Sequence, residues 1–301
     1  MYKLIVRTDD VGYTDVYNIG TFVTYDRGYA THCELMLESP GTVDALRRVR
    51  EYPWVSTGWH PHFWCSPVLP PAQVPSLVIP GTDRFRHDLQ RAQDVEYDEI
   101  LAEMRAQLDR CVEILGKAPD VGGGPQSDDS PFFRAMGQVT EEYGMIWGYA
   151  HQMRLREDGG FDCGPVEPRW EDSRIYQIDQ RGIVAGDIIV PTFKEQYEYD
   201  PVRFLLEDRM RLGELPDGAA IMHGFHPGYC DYFVAKEGDY GPNMMYYTVS
   251  RTYDVEALCS ERLHNWIRDN GIELCSLKDA LFGTHDYQNH LRAIGSDLCL
   301  Y

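Results

Sequence analysis

Short β-rich apolar runs alternate with longer stretches of helical periodicity along the whole chain, and this alternation limits the fold more than any other feature. The runs fall at residues 4–8 (LIVRT), 32–37 (HCELML), 55–59 (VSTGW), 118–122 (APDVG), 145–149 (MIWGY), 187–193 (DIIVPTF), 219–223 (AAIMH) and 271–276 (GIELCS). Helical periodicity occupies residues 14–27, 42–51, 97–115, 200–212 and 255–270. The 97–115 stretch is the clearest, with Ile100, Met104, Leu108, Cys111, Val112 and Leu115 at three- and four-residue steps before Gly116. Nearly continuous apolar strands separated by helices argue for a parallel sheet covered on both faces. About eight such units in 301 residues favour closure into a distorted (β/α) TIM-like barrel. An open doubly wound sheet is the alternative. With no repeat and no Ser/Gly linker, residues 1–301 read as a single domain.

Composition narrows the partners. Formal net charge is −20, from 28 Lys and Arg against 48 Asp and Glu, so nucleic acid and anionic membrane surfaces are disfavoured. No run approaches the roughly 20 apolar residues of a bilayer span. The opening MYKLIVRTDD enters a strand directly, with no basic segment followed by an apolar core, and reads as free of a signal peptide. The eight cysteines contain no CxxC pair, and several sit in apolar runs as core thiols. A reducing, cytoplasmic compartment is the expectation. Association into a homo-oligomer is left open by the sequence.

Three polar clusters stand at strand ends, where barrel enzymes place their chemistry. Asp9 and Asp10 close the first strand in RTDDVG. Neighbouring carboxylates on an extended chain point in different directions, so one can hold a cation while the other faces substrate; the bland reading is a helix N-cap. His60 and His62 follow the third strand in GWHPHFW, where a spacing of two puts both rings on one side of stiffening Pro61. Packing against Trp59, Phe63 and Trp64 is the alternative. His223 and His226 lie in IMHGFHPGYCD, and a histidine in a His-Pro-Gly turn suits general-acid work or is merely a turn residue. Asp with His, and water in the open positions, is the ligand set of a hydrolytic zinc or magnesium site. Neither a phosphate-binding Gly-rich loop nor a serine nucleophile elbow is present. Residues 65–94 and 154–186, rich in Pro and turns, read as walls of a substrate cleft.

The opening RTDDVGYTDVYNIGTF resembles that of the YdjC-like carbohydrate (chito-oligosaccharide) deacetylases. CELMLESPGTVDAL, VSTGWH, EILAEMRAQLDRCVEILGKAPD, IMHGFHPGYCD and RTYDVEAL…GIELCSLKDAL extend the likeness in collinear order. The resemblance implies a distorted (β/α) barrel and divalent-metal-dependent (zinc or magnesium) hydrolysis of N-acetylated sugars. By position it makes Asp9 the general base, Asp10 and His60 metal ligands and His226 the acid. One departure is large: the His-rich motif that carries the family's third ligand is replaced by APDVGGGPQSDD, with Pro125 near the ligand position. His62 and His223 are the candidate substitutes. A divergent deacetylase is the leading expectation. A barrel enzyme with other sugar chemistry (hydrolysis or isomerisation) and a non-catalytic carbohydrate-binding relative are the alternatives.

Overall fold

The computed structural model describes residues 2–123, 130–156, 160–178, 200–207, 212–237 and 244–301. In chain order the elements are β1 (Lys3–Val11), α1 (Asp15–Asp26), β2 (His32–Leu35), α2 (Thr42–Val49), β3 (Ser56–Trp59), α3 (Tyr97–Leu115) and α4 (Pro131–Glu142). They continue as β4 (Ala150–Leu155), β5 (Phe161–Cys163), β6 (Ile175–Ile178), α5 (Arg203–Leu206), β7 (Ala220–Phe225), α6 (Tyr232–Glu237), α7 (Met244–Leu258), α8 (Glu261–Asp269), β8 (Glu273–Leu274), α9 (Leu277–Phe282) and α10 (Asp286–Ala293). The expected strand at 187–193 lies outside the described residues. Within 200–212 the described residues form the single turn of α5, and 255–270 divides at Ser260, whose side chain caps α8. Among the described residues, no helix is long and apolar enough to cross a membrane.

The fold is α/β, built on a mostly parallel sheet in the order β3-β2-β1-β7-β6-β4-β5, with β5 antiparallel at the edge and β8 paired to the start of β1. The two sides of this sheet turn towards each other. Gly58 of β3 bridges Val121, and Val121 bridges Ile146, just ahead of β4. Backbone N–H groups of Trp59 and Gly122 donate across these bridges to Val121 and Ile146. The expected strands at 118–122 and 145–149 are thus reduced to one-residue bridges, and the regular pairing passes to β4 and β6.

Alternation along the strands sorts side chains between two cores. Leu4, Val6, Ile221 and Phe225 pack outward with helix residues such as Phe22, Leu46, Ile100 and Leu108. Ile5, Ala220, Met222 and Ile175 pack inward with Val121, Tyr149 and Cys275. The inner face is therefore apolar at the strand starts. Two residues further on it becomes polar, at Arg7, Glu34, Gln152 and Gln177, which line a cavity of about 720 Å³.

Turns at the helix ends follow the chemistry of their residues. Thr14 accepts from the Tyr17 N–H and opens α1. Gly116 closes α3 at φ +87°, and no atom lies within 4 Å of where its Cβ would be. Gly116→Ala therefore meets no steric clash and exposes the left-handed backbone cost alone, roughly 1–2 kcal/mol. Urea denaturation should show that loss with an unchanged m value.

Candidate metal and acid–base centre

Adjacent residues in a strand face opposite ways, yet Asp9 and Asp10 both reach the end of the inner face. The backbone explains it. The β1–β2 register shifts between Thr8 and Val11, and Asp10 takes a left-handed conformation at φ 60°. Such a φ is uncommon outside glycine and is tolerated best by Asp and Asn; it costs of the order of 1–3 kcal/mol and tends to occur at functional sites. Asp9 keeps the parity of Arg7, while the kink turns Asp10 towards the loop after β3.

That loop is tightly specified. The His62 N–H donates to the His60 carbonyl at 2.9 Å, closing a three-residue turn around Pro61. Phe63 follows at φ 58°, and the Trp64 ring lies over His62 with centroids 3.8 Å apart. The two imidazoles consequently converge: Nε2 of His60 and Nε2 of His62 are 2.6 Å apart, and they stand 3.2 and 3.0 Å from Oδ1 of Asp10. The three ligand atoms lie within 4.8 Å of one another.

Oδ2 of Asp10 faces Arg251 on α7 at 2.7 Å. Complete burial works to raise the Asp10 pKa, but the Arg251 cation and the hydrogen bonds from His60 and His62 outweigh it and hold the carboxyl well below its usual range. Burial would lower His60, whereas the Asp10 hydrogen bond and the charges of Asp9, Asp10 and Glu34 raise it. Asp9 accepts from Arg7 Nη2 at 2.7 Å and lies 3.7 Å from His226 Nε2 through the same Oδ2. Its buried Oδ1 has no hydrogen-bond partner among the described residues. The His226 N–H donates to Asp254 on α7 at 2.7 Å.

Asp9 and His226 thus form one pair, and Asp10, His60 and His62 form a second group at the same strand ends. His223 does not join either. It shares the parity of Ile221 and Phe225, is fully buried, and packs its ring against Phe225 at 4.4 Å. The third-ligand position near Pro125 lies outside the described residues. Arg251 and Asp254 received no role from the sequence; their signal there was their place in the RTYDVEAL block of the family likeness, just ahead of the 255–270 helical stretch. Both long turn-rich stretches supply cavity walls, through Gln90 from the first and Arg154, Pro165 and Glu167 from the second.

Comparison with known proteins adds ancestry to this geometry. The sequence profile described as YdjC-like protein matches residues 3–269. The chitooligosaccharide deacetylase of Proteus mirabilis is 29% identical, aligned over 93% of this chain and 99% of its own. Carbohydrate deacetylases of Enterococcus faecalis and Mus musculus are 30% and 25% identical, over 91% and 92% of this chain and 96% and 94% of theirs. An Enterococcus faecalis crystal structure superposes with a TM-score of 0.61 at 20% identity, covering 91% of this chain and 97% of that one. At that identity the structural likeness speaks for the fold.

Glu38 supports the histidine turn from below. Its Oε1 accepts from the Phe63 N–H at 3.1 Å, in a buried setting it shares with Glu103 and Arg110. Burial pushes its pKa up from 4.5 to about 7, against the lowering effect of the Phe63 and Trp64 N–H groups. Between those two values the folded chain keeps a proton that the unfolded chain has lost, so stability falls as pH rises and the loss is complete above the higher value. Glu38→Gln lacks this dependence. Its stability relative to the parent should therefore improve between pH 5 and pH 8, by at most roughly 3 kcal/mol at about 1.4 kcal/mol per pH unit. Urea denaturation of both proteins at the two pH values measures the change; an equal gap at both would show that Glu38 titrates normally.

Proposed function

The chain belongs to the YdjC-like family, and from that premise and the geometry of its site we propose that it is a divalent-metal-dependent deacetylase of N-acetylated carbohydrates. The whole of residues 1–301 is read as one domain serving that reaction. The observation that carries the proposal is the convergence of Asp10, His60 and His62, within 4.8 Å of one another, beside the Asp9–His226 pair.

Two imidazole nitrogens and one carboxylate oxygen are a donor set suited to catalytic zinc, which takes three protein ligands and keeps a position open. Magnesium prefers a shell of oxygens, so zinc fits these donors better. Both Nε2 atoms turn towards Asp10 Oδ1, at 3.2 and 3.0 Å, so one ion can meet all three donor atoms. A divalent ion held there supplies polarisation of the acetyl carbonyl and a lowered pKa for bound water.

The remaining chemistry belongs to side chains. Asp9 takes a proton from the attacking water, with Oδ1, which has no hydrogen-bond partner among the described residues, as the accepting atom and the Arg7 bond at Oδ2 fixing its orientation. His226, its backbone tied to Asp254, gives a proton to the leaving amine. Arg251 does not touch the substrate; it holds Asp10 ionised and aimed at the histidines. The 720 Å³ cavity, with polar residues and the rings of Trp147 and Tyr149, is of a size that takes a small carbohydrate.

Elemental analysis of protein purified without chelator should find about one zinc per chain, and N-acetylated sugars should release acetate. Asp10→Asn and His60→Ala should lose both metal and activity. Asp9→Asn should keep the metal and lose activity by about 10²–10⁴-fold. Metal retention in both ligand variants would end the assignment of this centre. Sugar binding without any metal would select a binding protein, and turnover of unacetylated sugars without acetate release would select other sugar chemistry.

A further inference from the structure

Behind His60 runs a second row of polar side chains that the proposed reaction does not use. β2 and β3 pair with His32 opposite Ser56 and Glu34 opposite Gly58. Side chains two apart share a face, so His32, Glu34, Ser56 and His60 stand together on the inner side. The Leu277 N–H donates to Ser56 Oγ at 2.9 Å, and Ser56 Oγ lies 2.7 Å from His32 Nδ1. His32 Nε2 lies 2.9 Å from Glu34 Oε1, and Glu34 Oε2 lies 3.9 Å from His60 Nδ1. Gly58 makes room for this arrangement, since a Cβ there would overlap the Glu34 carboxylate.

The donors and acceptors set a direction along the row. The Glu34 carboxyl is held low and only accepts, so His32 donates to it through Nε2–H. Nδ1 of the neutral ring then accepts from the Ser56 hydroxyl, whose oxygen accepts in turn from the Leu277 amide. Oε1 of Glu34 is thereby occupied, and Oε2 faces the ring nitrogen of His60 that points away from Asp10 and His62. A carboxylate at that distance is too far for a direct hydrogen bond, yet its charge favours a proton on Nδ1. A proton on Nδ1 leaves Nε2 as the lone-pair donor.

We propose that Glu34 is a positioning residue that fixes the ring and tautomer of His60 so that Nε2 is presented to a metal ion beside Asp10 and His62. The proposal rests on the metal-centre reading above. Outer carboxylates of this kind raise the basicity of a ligating histidine, and their loss commonly lowers metal affinity by about 10–100-fold.

Glu34→Gln is the direct test. Its amide oxygen still accepts from His32, but its NH2 group donates towards His60 Nδ1 and favours a proton on Nε2, the wrong nitrogen. Zinc affinity measured by chelator competition should fall by about 10–100-fold, and the visible absorption of the cobalt-loaded protein should change, while the thermal midpoint of the metal-free chain stays near the parent's. A folded variant with parental zinc affinity and cobalt spectrum overturns the proposal and leaves the metal centre standing. Should Glu34→Gln not fold, Ser56→Ala decides: it removes the hydroxyl that orients His32, together with the acceptor of the Leu277 N–H at the far end of the row, and reduced zinc affinity in a folded variant supports the row while parental affinity overturns it. A parent chain that binds neither zinc nor cobalt fails at the metal centre itself and overturns this proposal with it.

Discussion

The buried carboxylate of Asp10 is the constraint around which the polar end of the fold is arranged. An ionised group with no exposure loses several kcal/mol of hydration, and only close opposite charge and hydrogen bonds offset that loss. Here the compensation comes from distant parts of the chain. Arg251 on α7 meets one oxygen, and His60 and His62 from the loop after β3 meet the other. The same Arg251 donates to the Tyr17 hydroxyl on α1 at 2.9 Å, and that hydroxyl donates to the Asp9 carbonyl. Three helix and loop segments are therefore locked to the end of β1. Removing any one partner leaves a charge in a low-dielectric interior, so the elements around the cleft are coupled in stability as well as in position.

The placement of the other polar residues follows from strand alternation. One face carries Ile5, Arg7 and Asp9 in sequence, passing from core to cavity to the Asp9–His226 contact within five residues. β7 does the same with Met222, Gly224 and the approach to His226. Gly224 stands opposite Arg7, where a Cβ would crowd the guanidinium at 3.0 Å. His223 belongs to the other register and is committed to the helix layer. Two histidines three residues apart in one turn-bounded segment thus have different environments because one faces in and the other out.

This difference marks how much the sequence discloses. Strand ends were legible: β1, β2, β3 and β7 were read from apolar runs, and Asp9, Asp10, His60 and His226 stand at or just beyond those ends. Helix α3 was legible to the residue, because a 3.6-residue period and a terminal glycine carry its limits locally. β4 and β6 were not. Their inner positions hold Gln152 and Gln177 facing the cavity, so the apolar signal of a buried strand is missing where the strand serves the site. Helix α4 escaped for a different reason: its start, capped by Ser130 with Pro131 behind it, follows a Gly- and Asp-rich stretch that reads as loop. Arg251 and Asp254 were invisible as site residues since their significance lies in contacts with residues more than two hundred and nearly thirty positions away.

The His-Pro-His turn shows how a short segment can supply two groups of the proposed metal centre. Ligands from separate elements are oriented by the whole scaffold, whereas neighbouring ligands must be oriented by their own backbone. Pro61 removes one torsional freedom, and the hydrogen bond from His62 to His60 removes more. Left-handed Phe63 then turns the chain away, its N–H held by Glu38, while Trp64 packs over the second imidazole. Each constraint lowers the entropy that metal binding would otherwise have to remove, so a site with neighbouring ligands can be as well organised as one assembled from three strands. The cost is local strain at Asp10 and Phe63, two left-handed residues next to the proposed ligand group, and it is borne by the buried ion pair and the Glu38 hydrogen bond that hold them.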